Sequence, residues 1–264
     1  MNRWILSNVP PWLVFLGLIV LVVGGAVLVL MYVRHRFPSP RGDEHNGAIG
    51  FAFGVVGLVF AFFTGFVASG MWGEISSADA RGRTEGAVAV QMARDRDVFD
   101  KADSDRIRQS LLDYEHAAIT EWYIAARGNS FPEADNALMR LYTAYEEVQP
   151  RTDTQKTFLA TSFTNLGKIS QARTERVLQA RTDTGPPWSV WFVIWLTSGL
   201  LMGCAIVYGI ERPALHYAMV ATVGVLVAAS LFLVLELSYP FLGKVATSPE
   251  PLRDVIHFLS SPAV

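Results

Sequence analysis

Four stretches of this chain are apolar for long enough to cross a bilayer, and that decides more about its fold than any short motif. A hydrocarbon core of about 30 Å takes roughly 20 helical residues, because backbone polar groups find no water there and must pair within the segment. The stretches are 12–33, 48–71, 188–210 and 215–237. Rings suited to the headgroup level stand at their ends: Trp12, Tyr32, Trp72, Trp188, Trp191, Tyr208 and Tyr239. The first stretch follows Arg3, as a signal peptide would. It is longer than a signal h-region, however, and runs into Arg34-His35-Arg36 with no small-residue cleavage site, so it is expected to stay as an anchor.

Between the second and third spans lies a polar insertion, 73–187, that reads as helix throughout. Lys/Arg and Asp/Glu are interleaved along it, as on solvated helical faces. Ser104 is a plausible N-cap for a helix whose Ile107, Leu111, Tyr114, Ala118 and Trp122 form one apolar stripe. Arg127-Gly128-Asn129 ends that helix. Pro132 suits the first turn of another that runs to about Val148, and Pro150, Thr152 and Asp153 mark the break before a last long helix. There Phe158, Ser162, Asn165, Ile169 and Ala172 share a face. No alternating strand pattern of useful length occurs, so the fold class is all-α integral membrane. Residues 238–264 form a C-terminal turn and tail.

Little in the chain points to catalysis. With a formal net charge of -2, there is no broad basic field to attract nucleic acid. Cys204 is the only cysteine, which rules out a disulfide within one chain and a cysteine zinc site. His35, His45, His116, His216 and His257 show no metal-ligand spacing, and Asp43-Glu44-His45 reads as a hydrated turn between the first two spans. Phosphate-cradling glycine loops and nucleophile elbows are absent. No enzyme, metal or cofactor is expected.

The second span carries the most pattern. Gly47, Gly50, Gly54 and Gly57 recur at steps of three and four, giving a face over which another helix can pass closely. To one side lie Phe51, Val55, Leu58, Phe62 and Phe66, which face lipid or a neighbouring helix, or line an apolar constriction that gates ions by dewetting. At the end of the fourth span, Glu236 sits about one turn before Pro240, where its carboxylate can reach water or meet a cation from the insertion. Pro240 disfavours helix at Tyr239, and Gly243 lets the backbone reverse.

This order of spans, with Tyr239-Pro240-Phe241-Leu242-Gly243 followed by 251–256, resembles the bestrophins. Those are pentameric anion channels with two membrane helices, a long cytosolic helical insertion, two more membrane helices and a Pro-Phe-Gly turn. More closely, the chain is similar to the bacterial bestrophin-like domain family, through Asn46-Gly47, Tyr114, Trp122 and the Pro-Phe-x-Gly segment. The resemblance implies a pore neck at Leu58, Phe62 and Phe66, and a C-terminal latch at Glu236, Pro240, Phe241 and Gly243. It also implies a bacterial plasma membrane and a homo-oligomer, pentameric if bestrophin-like. The run 242–247 supplies no carboxylate before Glu250, too few anionic oxygens to clasp calcium.

Four spans place both termini and the insertion on one side. Short-loop charges nearly balance, with Arg3, Lys244 and Arg253 against Arg34, Arg36, Arg41 and Arg212, so only the size of the charged insertion favours the cytoplasmic side. The leading expectation is an oligomeric channel for small anions, helped by positive charges such as Arg81 and Arg83. The competing one is a non-conducting scaffold or accessory subunit that docks a partner protein through its insertion.

Overall fold

Helix is what a chain with long proline-free, apolar or interleaved-charge segments can form without leaving backbone groups unpaired. In the computed structural model, which describes residues 8–36, 43–182, 185–243 and 245–261, every regular element among the described residues is helical. In order the α-helices are α1 (Pro11–Arg36), α2 (Asp43–Asp95), α3 (Lys101–Ala126), α4 (Pro132–Glu146), α5 (Asp153–Arg181), α6 (Trp188–Val207), α7 (Pro213–Leu237) and α8 (Glu250–Ser260), with a short 3-10 helix, Arg96–Val98, between α2 and α3. Four of them, α1, α2, α6 and α7, are long and apolar enough to cross a membrane.

Proline sets several starts, at Pro132 in α4 and Pro213 in α7. Thr152 caps α5 by accepting the Gln155 amide at 3.1 Å. Ser104 does not cap α3. That helix begins at Lys101, and the Ser104 hydroxyl turns back toward Asp97 Oδ1 at 3.4 Å. Asp43, Glu44 and His45 open α2 instead of forming a turn; their side chains lie outside the described residues, as do Arg3, Arg41 and Lys244. No proline occurs from 41 to 131, so the change from apolar to polar sequence near Trp72 falls inside one unbroken helix of 53 residues.

The chain divides into two compact units. The first comprises the described residues through Gly73, Gly185–Tyr239 and Gly243–Val245. In it α1 packs along α7, and both meet α6. The close approach of α1 and α7 is at Gly224, where a Cβ would stand 3.0 Å from Val23 Cγ2. Asn46 pins the α6–α7 connection: its side chain donates to Gly209 O and accepts from Gly209 N, both at 2.9 Å. His216, fully buried, joins Arg34 at 3.0 Å and Ala205 O at 3.1 Å.

The second unit comprises Glu74–Thr184, Pro240–Leu242 and Ala246–Val264. Here α3 is central, with α4, α5 and α8 packed on it. Its stripe of Ile107, Leu111, Tyr114, Ala118 and Trp122 is buried in the unit's own core with Met92, Leu141, Tyr145 and Ile169.

Candidate functional site

At about 100° per residue, Phe51, Val55, Leu58, Phe62 and Phe66 fall within a narrow stripe of α2. The structure leaves this stripe uncovered by the chain: Phe51, Leu58, Phe62 and Phe66 are 77%, 72%, 76% and 71% exposed. The other side of α2 is covered. Phe60 packs with Leu201 and Val227, and Thr64 is buried. The glycines divide. A Cβ at Gly50 would meet Tyr208 at 3.5 Å and one at Gly57 would meet Leu201 at 3.6 Å, whereas Gly47 and Gly54 have no neighbour within 4 Å. Close approach to α6 therefore involves Gly50 and Gly57, two helical turns apart.

The C-terminal residues separate between the two units. Glu236 and Gly243 belong to the first, Pro240 and Phe241 to the second. Glu236 is buried, only 4% exposed. Gly243 has a φ of +94°, and a Cβ there would come within 2.9 Å of Glu236 Oε2; both facts require glycine. The Pro240 carbonyl accepts the Thr247 amide at 2.8 Å and its hydroxyl at 3.1 Å. Phe241 meets Trp122 edge to face, with centroids 5.4 Å apart.

Tyr114 and Trp122 belong to a buried ionic cluster. Arg176 donates Nε to Glu85 Oε2 at 2.8 Å and Nη2 to Glu85 Oε1 at 3.1 Å, and the Tyr114 hydroxyl donates to Glu85 Oε1 at 2.6 Å. The Arg176 guanidinium also lies 5.0 Å over the Trp122 ring. Beside it Arg173 holds Glu121 with a fork of 2.8 and 2.6 Å and reaches Asp135 at 2.8 Å. Burial alone would lower both arginines, but the hydrogen bonds and charges of their carboxylate partners outweigh it and raise them.

Glu115 completes the cluster without a hydrogen bond to either oxygen among the described residues. Burial, and then the Glu85 charge, push its carboxyl well above the usual range, with Arg176 opposing. Burial first and Glu85 next also push up the Tyr114 hydroxyl. Sequence reading missed this cluster. One signal was available: Arg173 and Arg176 continue the Asn165–Ile169–Ala172 stripe, which places two cations on the inward face of α5. Arg81 and Arg83, expected to draw anions, are paired instead, Arg81 with Glu175 at 3.1 Å and Arg83 with Asp79 at 2.7 Å.

A set of apolar helices that leave aromatic side chains uncovered, on α2 and on α6, together with a polar helical unit knitted by buried ion pairs, defines an all-helical integral membrane protein. Its sequence matches the bestrophin-like domain model over residues 20–252. The chain belongs to that family. Its fold is similar to a crystal structure of a bacterial bestrophin homologue from Klebsiella pneumoniae, at TM-score 0.70 and 12% identity over 94% of this chain and 99% of the other. A second structure of that homologue aligns at TM-score 0.63 and 14% identity over 93% and 99% of the two chains. No curated protein sequence matches the chain.

Proposed function

We propose that the chain assembles as a homo-oligomer, a pentamer on the bestrophin plan, around an axis lined by α2, and that it conducts small anions. Four spans cross a bacterial plasma membrane, with both termini and the insertion 73–187 on the cytoplasmic side. Leu58, Phe62 and Phe66 form the neck, and Glu236, Pro240, Phe241 and Gly243 latch the tail to the channel. The observation that carries this reading is the uncovered stripe on α2, from Phe51 to Phe66, on a helix whose other side is packed. Several copies are needed, since one bundle packs its own centre and leaves no channel. Rings of Phe62 and Phe66 suit anions, because an aromatic edge carries partial positive charge and its face partial negative.

The α3 stripe, one face through which a scaffold could dock a partner, is buried in the second unit's own core. Chloride efflux from vesicles containing purified protein tests the channel. Efflux that rises with Phe62→Ala and Phe66→Ala supports it; no efflux, or efflux indifferent to both substitutions, refutes it.

A further inference from the structure

In the second unit Arg173 and Arg176 answer buried carboxylates, and Arg81 and Arg83 answer exposed ones. Arg34, in the last turn of α1, answers none among the described residues. It is half-buried, and its one hydrogen-bond partner there is His216 of α7, whose Nδ1 its Nη1 meets at 3.0 Å.

The geometry fixes the charge of that partner. A carbonyl oxygen only accepts, so Nε2, which stands 3.1 Å from Ala205 O, carries the hydrogen of the ring. A guanidinium only donates, so Nδ1 offers it a lone pair. His216 is therefore a neutral, fully buried imidazole held in one tautomer. It orients the Arg34 guanidinium without cancelling its charge, and most of the five N–H groups of the fork remain to be met.

The level of this residue says what can meet them. Tyr32, 66% exposed, stands near the end of the apolar run of α1, where amphipathic rings keep to the headgroup region. Arg34 lies about 3 Å further along the helix axis, at the depth of lipid phosphates. The carbonyl end of α1 favours a cation in this turn. A planar guanidinium with an open edge matches two oxygens of one phosphate. We infer that Arg34, oriented by His216, binds a phosphate oxyanion at the end of the α1, α6 and α7 bundle, either that of a lipid headgroup or one from solution. The site requires no conduction, so it stands or falls apart from the channel.

The test is thermal unfolding of the purified protein in an uncharged detergent at constant ionic strength. One arm is titrated with dihexanoyl phosphatidylglycerol and the other with inorganic phosphate. The wild-type melting temperature rises with the probe that binds: a rise with the lipid alone assigns the site to a headgroup, and a rise with inorganic phosphate opens it to solution. Arg34→Gln, which can still donate to His216, needs about tenfold more probe for the same rise, as the loss of a charge-assisted hydrogen bond implies. Arg34→Lys keeps the charge but not the fork, and falls between the two. Arg212→Gln removes an exposed cation just before α7 and titrates as wild type. A wild type that neither probe stabilises overturns the inference. So does an Arg34→Gln curve that overlays the wild type, or an Arg212→Gln response lost to the same extent, since any cation there would then serve.

Discussion

The two units of this chain solve opposite problems. The second works as soluble domains do: its large side chains are inside, and its buried guanidiniums are matched by buried carboxylates, Arg176 by Glu85 and Arg173 by Glu121. The first leaves Phe51, Leu58, Phe62, Phe66, Trp188 and Trp195 uncovered. In water such exposure would drive collapse or association, but lipid tails are as apolar as these side chains, so the solvent exacts little for it. Apolar character therefore marks the inside of the second unit and says nothing about which side of a helix faces inward in the first. There, close contact is written in glycines such as Gly224 and Gly57, and in hydrogen bonds such as Asn46 with Gly209.

The sharpest way to break the contrast is to unbalance the ionic cluster. Glu85→Ala leaves the Arg176 guanidinium buried with its nearest remaining carboxylate, Glu121, at 3.6 Å. A loss of about 3–5 kcal/mol is expected, read as the unfolding of the second unit in detergent by circular dichroism. No change would mean that the cluster is not what holds the unit. Next in size is Gly86→Ala. A Cβ there would stand 2.5 Å from the Pro251 carbonyl oxygen and 2.8 Å from its carbon, so α8 must move; overpacking of this kind costs about 1–3 kcal/mol. Faster hydrogen exchange confined to α8 is the expected signature.

Glu115 gives a smaller, pH-dependent effect. Its folded-state pKa is raised, so the folded chain keeps a proton that the unfolded chain releases. Its contribution is then whole below the ordinary carboxylate range and declines as pH rises toward the elevated value, by about 1.4 kcal/mol per pH unit. Glu115→Met removes that slope while leaving Glu85 and Arg176 paired. Melting temperatures measured between pH 5 and 9 decide it: a wild-type slope matching that of the variant would show that Glu115 is not the group responsible.

How far the sequence could be read follows the same division. Four long apolar helices, helix starts at Pro132 and Asp153, and the α3 stripe were legible because length, proline and period are local properties. The continuity of α2 past Trp72 was less so, since a change from apolar to polar residues suggests an end where the backbone needs none. Partners were not legible at all. Arg173 and Arg176 could be placed on an inward face, but Glu85, Glu121 and Asp135 lie far off in sequence.

The smallest expected change in stability is also the one that most sharpens the contrast. Phe62 is 76% exposed, so Phe62→Ala opens no cavity in the chain's own core, and stability in detergent should move by no more than about 0.5 kcal/mol. Trp122, 2% exposed and pressed between Phe241 and Arg176, is the matched control from the second unit; its truncation to Ala should cost about 3–5 kcal/mol. The two readouts should then cross. Phe62→Ala should widen an apolar constriction and increase chloride efflux while the melting curve stays put, because dewetting depends on the width and polarity of the narrowing and not on the packing behind it. If Phe62→Ala instead destabilises the protein as Trp122→Ala does, the ring is packed within a core formed by several copies. The stripe would then be a seam between chains, and the axis it lines would be closed.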